Sequence, residues 1–105
     1  MSAVKPADCT LSATIEKVGK SGGRASGSLT CPASTGLELS VCIQSSMTTS
    51  FTNGPCSAGQ GTNSVISRSA EANFAGARNV RAFVRGRVNG VDLPDMPSTV
   101  IFVMP

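Results

Sequence analysis

The feature that most constrains this chain is its set of four cysteines, Cys9, Cys31, Cys42 and Cys56. An even number of cysteines in a short chain rich in Ser, Thr and Gly predicts a disulfide framework formed in an oxidising compartment. A structural zinc site usually brings its ligands in close pairs, often with His, but these cysteines are far apart and His is absent. We therefore expect two disulfides and a secreted, extracellular protein, with free thiols as the remaining alternative.

The length of 105 residues predicts a single disulfide-stabilised domain over residues 1–105. Much of the hydrophobic fraction is Ala and Val, and small side chains bury less surface per residue. Two disulfides would offset this deficit, each by about 3 kcal/mol through the lost entropy of the unfolded chain. No apolar signal segment follows Met1, which we interpret as a mature domain with an added initiator Met. The alternative is a cytoplasmic or phage-encoded protein with incidental cysteines.

Short segments of alternating apolar and polar residues, separated by turn residues, run along the chain and predict an antiparallel all-β domain. The alternation is clearest in residues 10–16, 24–31, 37–44 and 80–88. Residues 45–61 are polar and are expected to form an edge strand plus a loop. About seven strands at this spacing favour a small antiparallel β-sandwich.

Two further segments are less clearly patterned. Residues 65–74 favour a strand, although the Ala content of residues 69–76 leaves a short helix as an alternative. Residues 98–104 are expected to form the last strand.

Turn positions predict how the cysteines pair. The turn cluster at residues 19–23 predicts a hairpin. In this hairpin the numbers of two opposed residues sum to about 40, and Cys9 and Cys31 fit that register. Directly opposed residues of two strands have the Cβ separation that a disulfide needs. Of the three possible connectivities we therefore favour Cys9–Cys31 with Cys42–Cys56.

A second hairpin is predicted by the dipeptide Asn89-Gly90, which lies between two valines and is the strongest short hairpin signal. In that register Arg87 lies opposite Asp92. The prolines Pro94 and Pro97 then interrupt pairing, because proline has no amide hydrogen to donate.

In its general architecture the predicted fold resembles the Ig-like and fibronectin-like sandwiches. With no Trp or Tyr, the chain lacks the buried Trp and the Tyr corner of those families. It is also similar to small secreted inhibitors of the tendamistat kind, which are β-sandwiches with two consecutively paired disulfides. Their Trp-Arg-Tyr contact triplet cannot exist here, so that function is not carried over.

Catalysis is disfavoured by the residue types that are missing. Without His there is no Ser-His or Cys-His nucleophile system and no ordinary general base near neutral pH. A glycosidase would need two carboxylates across a cleft, and we interpret Asp92 and Asp95 as solvated turn residues instead. We expect no enzyme, no cofactor and no metal site.

The best candidate for partner binding is a basic strand on which Arg81, Phe83, Arg85 and Arg87 share one face. Such a stripe could bind a protein or a polyanion. The alternative is a solvated face whose Arg stems cover Phe83, with Arg87 paired to Asp92. A net charge of only +3 and few stacking aromatics make nucleic acid an unfavoured partner.

Two C-terminal features add further candidates. Leu93 and Met96 lie in a proline-stiffened segment that could dock into a target enzyme or simply plug the end of the sandwich. Residues 100–104 are apolar on both faces, so a loop or another chain should cover them, which leaves a homo-oligomer through the last strand as an option. This run is far too short to span a membrane.

The sequence therefore favours a secreted, non-enzymatic module that acts through protein–protein contact, either alone or as a subunit of an extracellular assembly. The alternative is a secreted inhibitor or toxin component that blocks a target enzyme through residues 93–96.

Overall fold

The computed structural model describes residues 4–48 and 50–104, which form one short 3-10 helix, Pro6–Asp8, and seven β-strands. The strands are β1 (Thr10–Val18), β2 (Gly22–Ser46), β3 (Thr52–Asn73), β4 (Arg78–Val88), β5 (Val91–Asp92), β6 (Met96–Pro97) and β7 (Ile101–Val103). Every pairing between them is antiparallel. The predicted all-β class is confirmed. No helix in the described ranges is long and apolar enough to cross a membrane.

Hydrogen bonds join all seven strands into one sheet, because β2 and β3 are long enough to take part in both of its halves. In the first half, residues 22–30 of β2 lie between β1 and residues 65–73 of β3. In the second half, residues 35–46 of β2 lie between residues 52–63 of β3 and β4. The strands β5, β6 and β7 pair with the free side of β4.

The two halves of the sheet face each other across a common core. A Cβ atom added to Gly27 in the first half would lie 2.8 Å from Val41 and 2.7 Å from Val84, both in the second half. Ala25, on the same side of β2, is fully buried. The seven antiparallel strands are as predicted, and their single connected sheet, doubled over in this way, is compatible with the predicted sandwich.

The core consists of the inward residues of the alternating segments, as the pattern predicts. On β2 these include Leu29, Leu37, Leu39, Val41 and Ile43, and on β4 they are Val80, Ala82, Val84 and Val88. No phenylalanine belongs to the buried set, so aliphatic side chains supply almost all of the interior. The phenylalanines are left for the surface of the fold.

Both predicted disulfides are present. Cys42 and Cys56 are direct partners in the pairing of β2 with β3, and their Cα atoms are 4.0 Å apart. Cys9 and Cys31, with Cα atoms 4.3 Å apart, extend by one residue the pairing of Thr10 with Thr30 between β1 and β2. One disulfide therefore fixes each half of the sheet.

The structure also decides the remaining predictions of secondary structure. Asn89 and Gly90 have φ angles of 48° and 80°, which the predicted hairpin turn requires, and Arg87 pairs with Asp92. Residues 65–73 are a strand rather than a helix. The last strand, Ile101–Val103, is shorter than the predicted 98–104. At Ser98 only one of the two bonds to Ala82 is a backbone pair, because the Ser98 hydroxyl accepts the Ala82 amide hydrogen while the Ser98 amide donates to the Ala82 carbonyl oxygen.

Replacing Gly27 with Ala should destabilise the fold, because the added carbon would crowd the side chains of Val41 and Val84. We expect the free energy of unfolding to fall by about 1–3 kcal/mol, the usual effect of overpacking a core. The matched control is Gly76→Ala, where nothing lies within 4 Å of the added carbon. Urea denaturation measures both variants, and equal stabilities would contradict the close approach of the two halves.

Candidate functional site

The predicted basic strand is β4, and its outward residues form one face together with the outward residues of β2. On β4 these residues are Asn79, Arg81, Phe83, Arg85 and Arg87, and their register partners on β2 are Ser46, Gln44, Cys42, Ser40 and Glu38. We call these ten residues the β4 outer face. The structure therefore brings together the four predicted binding residues of β4, as the alternation requires.

One end of the β4 outer face carries charges that are compensated within the chain. Arg87 Nε donates a hydrogen bond of 2.8 Å to Asp92 Oδ1, and Glu38 lies 3.7 Å from the same guanidinium. The hydrogen bond to Asp92, and then the charges of Asp92 and Glu38, raise the pKa of Arg87 above its ordinary value. Arg85 Nε lies 3.6 Å from Asp95. The predicted pairing of Arg87 with Asp92 is confirmed, and this end is close to electrically neutral.

Arg81 has a different environment at the other end of the face. None of the ion pairs among the described residues includes it. Its guanidinium carbon lies 4.1 Å from the ring centre of Phe51 and 5.7 Å from that of Phe83. Both distances are within the range of cation–π attraction. The guanidinium is therefore held between two aromatic rings rather than by a carboxylate.

A chain of side-chain amides fixes the orientation of Arg81. Arg81 Nε donates a hydrogen bond of 2.8 Å to Gln44 Oε1, and Gln44 Nε2 donates one of 2.7 Å to Asn53 Oδ1. Gln44 is only 8% exposed, so the middle of this chain is buried, while Asn53 at its end is exposed. A side chain held by one hydrogen bond and two rings has already lost most of its rotamer freedom.

A β-bulge in β3 makes that chain of amides possible. Between the pairs Cys42–Cys56 and Gln44–Asn53, β2 advances by two residues and β3 by three. Without the extra residue, Gly54 would lie opposite Gln44 and offer no side chain. Bulges commonly re-aim a side chain in this way next to functional sites.

Apolar groups surround Arg81 on the surface. A row of paired residues crosses four strands here, with Pro97 on β6, Phe83 on β4, Cys42 on β2 and Cys56 on β3. The Cys42–Cys56 disulfide therefore lies in the same row as Phe83. Phe102 of β7 pairs with Asn79 and is 54% exposed.

The sequence suggested that both apolar faces of the last strand are covered. In the structure the chain itself covers only one of them. Val103 is buried and Ile101 packs against the core. The opposite set, Val100, Phe102 and Met104, is at least half exposed on the described surface.

Leu93 and Met96 do not form a joint projecting tip. The Leu93 amide donates to the Gly86 carbonyl oxygen over 2.9 Å, and its side chain packs against the core. Met96 pairs with Val84 in β6 and is 38% exposed. The segment between Val88 and Ser98 is thus tied along β4 by two short strands, and Leu93 has the position expected of a plug.

A depression of about 770 Å³ lies over the charged end of the face and is lined by Glu38, Arg85, Asp92 and Asp95 among others. Each of these carboxylates is ion-paired, Asp92 and Glu38 with Arg87 and Asp95 with Arg85. The charges that line this depression are therefore paired within the chain.

The opposite half of the sheet carries polar rows and one further charge cluster. Arg24 on β2 lies between Glu16 on β1 and Glu71 on β3, and hydrogen-bonds both carboxylates. The bond to Glu71, followed by the bond to Glu16, raises the pKa of Arg24. Each of the three groups has a partner of opposite sign, and the one arginine between two carboxylates leaves a net charge of −1.

Sequence reasoning missed two members of the Arg81 site, Phe51 and Asn53. Both belong to residues 45–61, where the sequence shows only a polar segment with turn residues. Their approach to Arg81 depends on the β2–β3 pairing and on the bulge, neither of which leaves a local signal. The outward position predicted for Gln44 is correct, but not its burial.

Comparison of the chain with protein-family models and with curated proteins found no match. The role of the β4 outer face is therefore inferred from its own geometry and chemistry.

Replacing Leu93 with Ala should lower stability, because its side chain packs against the core. We expect a loss of about 1–3 kcal/mol in the free energy of unfolding, below the range for a fully buried leucine. Met96→Ala is the control and should stay within about 0.5 kcal/mol of the unchanged protein. Thermal and urea unfolding provide the measurement. Full stability of Leu93→Ala would instead indicate a leucine held free for a target.

Proposed function

We propose that this protein is a secreted, non-enzymatic module that binds a protein partner through the β4 outer face. The observation that carries the proposal is the Arg81 site, in which a guanidinium that is in no ion pair with a described residue is held by Phe51 and Phe83. Arginine and aromatic residues are enriched among the few residues that dominate protein–protein affinity.

The surroundings of Arg81 support a protein partner rather than a polyanion. Phe102 and the Cys42–Cys56 disulfide provide apolar surface beside the cation, as in the centre of a typical interface. Nucleic acid would require several uncompensated cations along a strand. Here Arg85 is paired with Asp95 and Arg87 with Asp92. The basic strand predicted from the sequence therefore does not present a continuous row of uncompensated cations.

Secretion is supported by the two disulfides. They take up all four cysteines, and such bonds persist in oxidising compartments and are rare in the cytosol. The alternative, an inhibitor that acts through residues 93–96, has less support because Leu93 packs against the core.

The proposal is tested with partners captured from the native secretions by crosslinking, then purified and titrated against the protein by calorimetry. Phe102→Ser should weaken the Kd about tenfold or more, since a central aromatic contact is lost. The matched control is Val65→Ser on β3, which changes a residue that is 49% exposed but remote from the β4 outer face, and should leave the Kd within about twofold.

Two outcomes would count against the proposal. One is the absence of any secreted protein that binds the purified chain in calorimetry. The other is an equal effect of Phe102→Ser and Val65→Ser, which would indicate another surface.

A further inference from the structure

Almost all of the acidic side chains form ion pairs within the chain. Five of the six acidic residues are in ion pairs, namely Glu16 and Glu71 with Arg24, Glu38 and Asp92 with Arg87, and Asp95 with Arg85. Asp8 is the remaining one, and it lies in the helix Pro6–Asp8 at the start of the described chain. In the part of the chain that the structure describes, Arg81 is in no ion pair, although Arg85 and Arg87 of the same strand are. Arg78 of β4 and Arg68 of β3 are also outside these pairs, but neither belongs to the β4 outer face.

Arg81 is half-buried, and its unused groups are the two terminal nitrogens of the guanidinium. Its Nε donates to Gln44, which leaves the four N–H groups of the two terminal nitrogens. Among the described residues these terminal nitrogens have no hydrogen-bond partner. A buried nitrogen without a partner is found there only at Nε of Arg78, so the terminal nitrogens of Arg81 are not buried. The terminal nitrogens are therefore accessible, and their planar fork matches the two oxygens of a carboxylate.

The site is also organised before any ligand arrives. Two rings and the chain through Gln44 to Asn53 hold the guanidinium in place, so little side-chain entropy remains to be lost on binding. Flanking rings also exclude water, which strengthens a charge–charge contact relative to one in bulk solvent.

We propose that Arg81 binds a carboxylate of the partner protein, from an acidic side chain that is flanked by apolar residues. This inference rests on the proposed function and names the chemistry of its central contact. A single uncompensated guanidinium suits one carboxylate, whereas phosphorylated or polyanionic ligands are bound by clusters of cations. The apolar flanks of the ligand would contact Phe102 and the Cys42–Cys56 disulfide.

The binding of a carboxylate is tested directly with two blocked peptides, N-acetyl-Leu-Glu-Leu-amide and N-acetyl-Leu-Gln-Leu-amide, titrated into 15N-labelled protein. We expect the Nε–H resonance of Arg81 to shift with the Glu peptide, with a Kd in the millimolar range that rises with salt. The Gln peptide should give less than about a tenth of that shift. Equal responses to the two peptides would overturn the proposal.

Variants assign the response to Arg81. Arg81→Gln should abolish the shifts of neighbouring backbone amides, and Arg81→Lys, which keeps the charge but loses the planar fork, should weaken them severalfold. The matched control is Arg68→Gln on β3, which removes an exposed arginine that is also outside the described ion pairs but does not belong to the β4 outer face, and it should leave the response unchanged. Circular dichroism and melting curves confirm that each variant is folded. Loss of the response in Arg68→Gln to the same extent would contradict the assignment.

Titration of the purified partner separates this inference from the proposed function. Both stand if Phe102→Ser and Arg81→Gln each weaken the Kd about tenfold or more. If only Phe102→Ser weakens it, the carboxylate contact is wrong and the proposed function remains. If neither does, the proposed function is wrong. A dimer seen by light scattering and dissociated by both Asp8→Asn and Arg81→Gln would show a second copy as the occupant, against the inference.

Discussion

The close contact between the two halves of β2 at Gly27 is the constraint on which the rest of the structure depends. Only a residue without a side chain lets the first half approach Val41 and Val84 so closely. That contact buries the inward valines of β4 and leaves its outward residues as a firmly supported row. A core of aliphatic side chains is enough because the two layers meet at such short range, and the phenylalanines are then available on the surface.

The β4 outer face combines two kinds of arginine on one strand. Arg85 and Arg87 have carboxylate neighbours supplied by the segment that returns along β4 and by β2. Arg85 also lies over the Phe83 ring, 5.4 Å from its centre, whereas the neighbours recorded for Arg81 among the described residues are two aromatic rings and an amide. Exposed ion pairs add little to stability and little to recognition, because each charge is already satisfied and solvated. The two ends of the face therefore differ in the neighbours of their arginines. Arg85 and Arg87 are already paired within the chain, whereas Arg81 is the arginine we propose for contact with a partner.

Sequence reasoning could predict those parts of the fold that depend on local register. The Asn89-Gly90 turn fixes the pair Arg87–Asp92, and the turn before β2 fixes Cys9–Cys31, because a short turn leaves only one alignment of its strands. The doubled sheet and the Arg81 site could not be predicted in this way. Phe51 and Arg81 meet through two successive strand pairings and a bulge, and a single-residue difference in register would remove the contact.

The Cys42–Cys56 disulfide has a consequence beyond stability. It joins β3 to β2 on one side of the bulge. Asn53, the last residue in the chain of amides that orients Arg81, lies on the other side of that bulge. The edge that carries Asn53 is otherwise polar and exposed, with few apolar contacts to hold it. Oxidation of these two thiols thus shapes the β4 outer face as well as the scaffold, because one covalent bond both closes a loop of the chain and sets where Asn53 meets Gln44.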